Sequence, residues 1–184
     1  MWKEEEEDGY DVYVDSLHNL PDNCAIVKIK AKIVSTKNVV QLRETELWPK
    51  VQVSTFMKQI YNEKLEVRDT VTDPTSMLQL TFITLDTTQL KLKTLGYSFF
   101  PLFINTETQM PVVQLDHRMN MNKIKRALHK GAYQMPIYYQ APQHKDLVSY
   151  QDYIRLERIP TASVLLRVDY ASIDYEGNFI SIKD

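Results

Sequence analysis

Very few side chains in this chain have the type and spacing to do chemistry. The four histidines, His18, His117, His129 and His144, stand singly. None has metal-ligand spacing, and no HExxH or Cys-His cluster occurs. Cys24, the single cysteine, follows the turn signal Asp22-Asn23 and has no histidine close in sequence. A lone cysteine so placed reads as a small buried filler. GxSxG, P-loop and GxGxxG patterns are absent, and four glycines leave little material for a phosphate cradle. Catalysis, a cofactor and a small-molecule substrate are therefore not expected.

Carboxylates pose the sharper question. Calcium takes about six to eight oxygen ligands, several of them carboxylates. Asp86 is followed by Thr88, and no further carboxylate occurs until after Gly96. An earlier turn offers Asp22, with Asp15 at its edge. Asp22 and Asp86 are thus candidate metal ligands in loops too poor in carboxylate for a strong site. Lys28, Lys30 and Lys32 form a basic stripe, and Lys91 and Lys93 add charge in the loop after Asp86. Near an anionic membrane each lysine contributes about 1 kcal/mol, so this set is a candidate lipid surface. Alternating lysines also keep strands soluble and unpaired at edges, and the same stripe suits an acidic protein surface such as a cytoskeletal lattice. Tyr138-Tyr139 would place one ring on each face of a strand, which makes these two residues candidates for a protein interface.

The elements that position these groups read as strands. Ile26 to Val34 is the clearest: Val27, Ile29, Ala31 and Ile33 alternate with the three lysines. Tyr10, Val12 and Val14 share a phase, as do Leu78, Leu80 and Phe82. Asp86 to Gln89 is a polar loop, and Leu95-Gly96-Tyr97 opens a strand running to Phe103. Val39 to Leu42, Val51 to Thr55, Tyr61 to Val67 and Met110 to Leu115 supply shorter strands, with Phe56 to Tyr61 ambiguous. Val164, Leu166, Val168 and Tyr170 alternate as a last half-buried strand, and Phe179 to Ile182 is placed to hairpin back after the turn Glu176-Gly177-Asn178. Asn120 to His129 is the best helix candidate, with Met121, Ile124, Ala127 and Leu128 on one side and Gly131 at the stop. The pattern predicts an all-β antiparallel sandwich of eight strands, with one short helix inserted between late strands.

The order of strand, polar loop, Leu-Gly, strand and Pro-Leu between Ser76 and Phe103 resembles a C2 domain. Asn19-Leu20-Pro21 followed by Val27-Lys28-Ile29 resembles the same family's first strand, loop one and second strand. The resemblance implies a C2-like β-sandwich in which loops one and three would hold calcium. Here the second aspartate of the loop-three Asp-x-Asp is Thr88, and Cys24 falls about where loop one would carry another. A degenerate, calcium-independent member is implied. Gly131-Ala132-Tyr133-Gln134-Met135-Pro136-Ile137-Tyr138 and the leading Gly9-Tyr10-Asp11-Val12-Tyr13-Val14-Asp15 resemble C2-like regions of large coiled-coil-containing ciliary and flagellar proteins. A scaffold role with protein partners, cytoskeletal or ciliary, is what that resemblance implies. Targeting to anionic phospholipid is the alternative.

Size and charge set the remaining bounds. The chain has 184 residues and a formal charge of −2, so one folded domain is expected and bulk binding to nucleic acid is not. Residues 1–8, with the acidic run Glu4 to Asp8, read as a solvated leader to one domain over 9–184. A single cysteine fits a reducing compartment, and no apolar run reaches membrane-span length. A cytoplasmic setting is expected. The start MWKEEEED and the strand-like end suggest a piece of something longer, with a natural small protein as the other possibility.

Overall fold

A computed structural model describes residues 9–35, 40–55, 57–68, 73–112, 125–141, 155–173 and 176. In chain order the strands are β1 (Tyr10–His18), β2 (Cys24–Val34), β3 (Val40–Leu47), β4 (Lys58–Val67), β5 (Met77–Asp86), β6 (Lys91–Pro101), β7 (Phe103–Asn105), β8 (Arg126–Leu128), β9 (Gly131–Tyr138) and β10 (Arg158–Tyr170). A 3-10 turn at Val51–Val53 is the sole helical element among the described residues. None of these residues forms a helix long and apolar enough to cross a membrane.

Eight strands form one sheet in the order β3-β2-β5-β6-β9-β10-β1-β4, and every pairing in it is antiparallel. The β6–β9 link is narrow, with Tyr97↔Tyr138 as its one register pair. It divides the sheet into two four-stranded halves that fold over each other, and the two edge strands β3 and β4 come into contact. The result is a sandwich- or barrel-like body. Two-residue periodicity explains the core: Val12 and Val14, Val27, Ile29 and Ile33, Leu78, Leu80 and Phe82, and Val164, Leu166 and Val168 all point into it.

Gly96 explains why the two halves can approach so closely at their link. A Cβ built there would lie 2.5 Å from the Tyr138 carbonyl oxygen, 2.8 Å from Ile137 Cγ2 and 3.0 Å from Ile159 Cδ1. Only a residue without a side chain lets β6 approach β9 and β10 this closely.

Several expectations need correction. The helix expected over Asn120–His129 is not formed where the structure describes it. Arg126–Leu128 is β8, paired as Phe103↔Leu128, Ile104↔Ala127 and Asn105↔Arg126, while residues 120–124 lie outside the described set. Pairing with β7 and burial of Leu128 outweigh a helical pattern of fewer than three turns. Gly131 accordingly opens β9 with φ 146°, instead of stopping a helix. Val51–Val53 is a 3-10 turn, because the segment folds against β4 through Lys50 N–H donating to Ile60 O at 2.7 Å. Lys58–Tyr61 of the ambiguous stretch is strand, and Lys91 and Lys93 belong to β6 rather than to the loop before it. The expected Met110–Leu115 strand is reduced to a bridge at Pro111 with Ile104, and its last residues lie outside the described set. Residues 1–8 and 179–182 also lie outside it.

Candidate functional site

The two loops that resemblance marks for calcium do meet. The turn after β1 and the turn after β5 lie side by side, with Cys24↔Asp86 in register. Thr87 N–H donates to Asn23 O at 3.1 Å and the Thr87 hydroxyl to the same oxygen at 3.3 Å.

At their junction the Asp86 carboxylate is buried and fully occupied. Its Oδ1 accepts from the backbone N–H groups of Thr88 at 2.8 Å and Gln89 at 3.0 Å. Its Oδ2 accepts from Asn23 Nδ2 at 3.1 Å and pairs with the Lys93 ammonium. Register brings Lys93 there. It stands opposite Thr84 in the hairpin, and alternation puts Thr84, Asp86 and Lys93 on one face. The Lys93 hydrogen bond, followed by the Gln89 and Thr88 amides, lowers the Asp86 carboxyl to about pKa 2. A carboxylate has about four lone-pair sites, and four donors already fill them. Lys93 therefore holds the place on Asp86 that a cation would take.

The other carboxylates do not join it. Asp22 is exposed in the first turn. Asp15 lies on the outer face, gripped by Arg167 through Nε at 2.6 Å and Nη2 at 2.8 Å. Among the described residues no group of three or more His, Cys, Asp and Glu side chains converges on a point. Cys24 is buried, and that burial pushes its thiol up, against the pull of nearby Lys93. A nucleophilic cysteine needs the thiolate, which this environment disfavours.

The lysine stripe lies on the outer face of β2 as the periodicity predicts, but β3 neutralises much of it. Lys28 Nζ sits 2.8 Å from Glu46 and Lys30 Nζ 2.6 Å from Glu44. The Lys30 ammonium is raised in pKa by its hydrogen bond to Glu44, whose own carboxyl is lowered in return. Lys28 also sits 5.4 Å from the Trp48 ring centroid. Lys93 is committed to Asp86, whereas Lys91 is exposed beside it. Tyr138 and Tyr139 separate as alternation requires. Tyr138 is 3% exposed and packs on Phe99 with Met77 nearby, while Tyr139 is 48% exposed.

Sequence reasoning missed the most extended feature of this end. Eleven large apolar side chains are exposed among the described residues, and eight of them cluster here: Ile26, Trp48, Val51, Val53, Met57, Leu85, Leu90 and Leu92. Leu90 and Leu92, at 77% and 76% exposure, flank Lys91 at the tip of the β5–β6 hairpin. Leu85 pairs with Leu92 across that hairpin on its outer face. The available signal was leucine directly after a polar turn, where a buried role has nothing to pack against. No family model matches the chain, and no curated protein matches it.

Proposed function

We propose that this chain is a C2-like, calcium-independent and non-catalytic interaction module, serving as a scaffold element of a larger cytoskeletal or ciliary protein. The carrying observation is Lys93 on Asp86: the two loops are tied by Asn23 donating to Asp86 and Thr87 donating to Asn23 O, and Lys93 supplies the positive charge on the shared carboxylate, so their geometry needs no metal. Two four-stranded halves joined at Tyr97↔Tyr138, directly after Gly96, fit the C2-like reading, and the Gly131–Tyr138 resemblance supplies the setting. Exposed apolar side chains gathered on one loop end suit a binding surface. Cys24, buried and protonated, supports the non-catalytic part.

A second reading, peripheral binding to anionic phospholipid, is favoured by one observation, the exposed Leu90-Lys91-Leu92 tip. The pairing of Lys28 and Lys30 with glutamates speaks against it, because a neutralised stripe loses most of its attraction for lipid headgroups. Co-sedimentation with phosphatidylserine-containing vesicles separates the two. The scaffold reading predicts protein in the supernatant with and without calcium. Pelleting that is lost on Leu90→Ser and Leu92→Ser would replace it with the membrane reading, and calcium-driven pelleting would contradict calcium independence outright.

A further inference from the structure

A groove of about 290 Å³ opens at the same loop end, between the start of β2, the 3-10 turn and the start of β4. Ala25, Ile26, Pro49, Val51 and Thr55 line it, and Gln59 forms part of its floor. The floor offers a ligand no unmet polar atom. Gln59 Nε2 donates to Ala25 O at 2.6 Å, and its Oε1 accepts from Val27 N–H at 2.9 Å. The walls are fixed in advance. The Ser54 hydroxyl donates to Lys50 O at 2.8 Å, and Thr55 N–H donates to Lys58 O at 2.7 Å. A rigid, polar-satisfied groove rewards apolar filling and loses little entropy on binding. Its volume lies just under the range of about 300–1,000 Å³ usual for small-molecule sites, which suits one or two bulky side chains better than a cofactor.

Charge around the groove selects among apolar partners. Lys50 stands in the chain between the lining residues Pro49 and Val51, and Lys58 stands next to Gln59. Both are exposed, and neither has an ion pair among the described residues. Lys28 and Glu46 cancel each other nearby, which leaves Asp22 of the first turn as the opposing charge. We infer that this groove takes a short acidic segment of a partner protein, with a bulky apolar side chain as the anchor and carboxylates reaching Lys50 and Lys58. The inference rests on the interaction-module reading and names the partner chemistry of that surface.

The test is selection of a displayed library of random short peptides on the intact chain, followed by anisotropy with the enriched peptide carrying a fluorophore. Enriched sequences should pair large apolar residues with Asp and Glu. Binding should weaken about tenfold or more on replacing the anchor by serine, as loss of a buried leucine-sized side chain requires. Val51→Asp should weaken it similarly, and the double variant K50E/K58E should weaken it and flatten its salt dependence. Both variants are at exposed positions, and unchanged circular dichroism verifies their folding. Failure to enrich any peptide, enrichment of basic peptides, or acidic peptides indifferent to both groove variants would each overturn the inference. These failures leave the module reading standing, since that reading falls instead to calcium-driven vesicle binding.

Discussion

Gly96→Ala tests the junction on which the two halves of the sheet depend. Backbone φ at Gly96 is not in the left-handed region, so space alone decides the outcome. The new methyl would sit 2.5 Å from the Tyr138 carbonyl oxygen and 2.8 Å from Ile137 Cγ2. Both neighbours belong to β9, and the nearer is backbone, so the strand itself must retreat. Overpacking of this kind costs about 1–3 kcal/mol. Alanine also restricts the unfolded chain, which offsets about 0.4–1 kcal/mol. The net expectation is a loss of about 1–2 kcal/mol, or a midpoint lowered by about 2–8 °C at this chain length. Thermal unfolding followed by circular dichroism measures it, with urea unfolding as a check on the slope. A midpoint equal to or above that of the unchanged protein would refute the close approach of β6 to β9 at Gly96.

Two further predictions concern titration. The Asp86 carboxyl is lowered to about 2 from an ordinary 3.8, so its contribution is complete above pH 4 and is lost as pH falls through about 2. Asp86→Asn should therefore unfold at lower temperature than the unchanged protein at neutral pH, and the gap should close between pH 4 and pH 2; a pH-independent gap would refute the pairing. His129 lies between Phe100, stacked at 4.8 Å, and Tyr133 at 4.8 Å, and burial lowers its pKa below 6.5 while a hydrogen bond to Pro101 O opposes the shift. Its contribution is full above 6.5 and is lost as pH falls through the lower folded value. Its imidazole should titrate below 6.5 by NMR, and an ordinary or raised value would contradict the burial.

What was legible in the sequence is what two-residue periodicity encodes. β2, β5 and β10 fall where alternation placed them, and their buried residues are the ones in phase. The polar turn after Asp86 also falls where it was expected, between β5 and β6. Long-range pairing was not legible. Ala127 and Leu128 satisfy a helical wheel and a strand equally well, and β7 decides between them. Nothing local marks Glu44 and Glu46 as partners of Lys28 and Lys30; the pairing of β3 with β2 sets them there. The Asp86–Lys93 pair was within reach, since a tight hairpin that sets Lys91 opposite Asp86 puts Lys93, two residues on, on the same face. Tyr138 is inward because β9 continues across Phe99, a contact that no local pattern specifies.

The central claim is that Lys93 occupies the Asp86 carboxylate where the two loops meet, in the place a metal ion would take. Thermal unfolding in millimolar calcium against EDTA tests it most directly. A ligand present at about 100 times its dissociation constant stabilises the folded state by about 2.7 kcal/mol, which raises the midpoint by about 5–10 °C for a chain of this size. The occupied Asp86 carboxylate predicts coincident midpoints in the two buffers. A rise of several degrees in calcium would show that the ion displaces Lys93, and would make the loops a metal site after all.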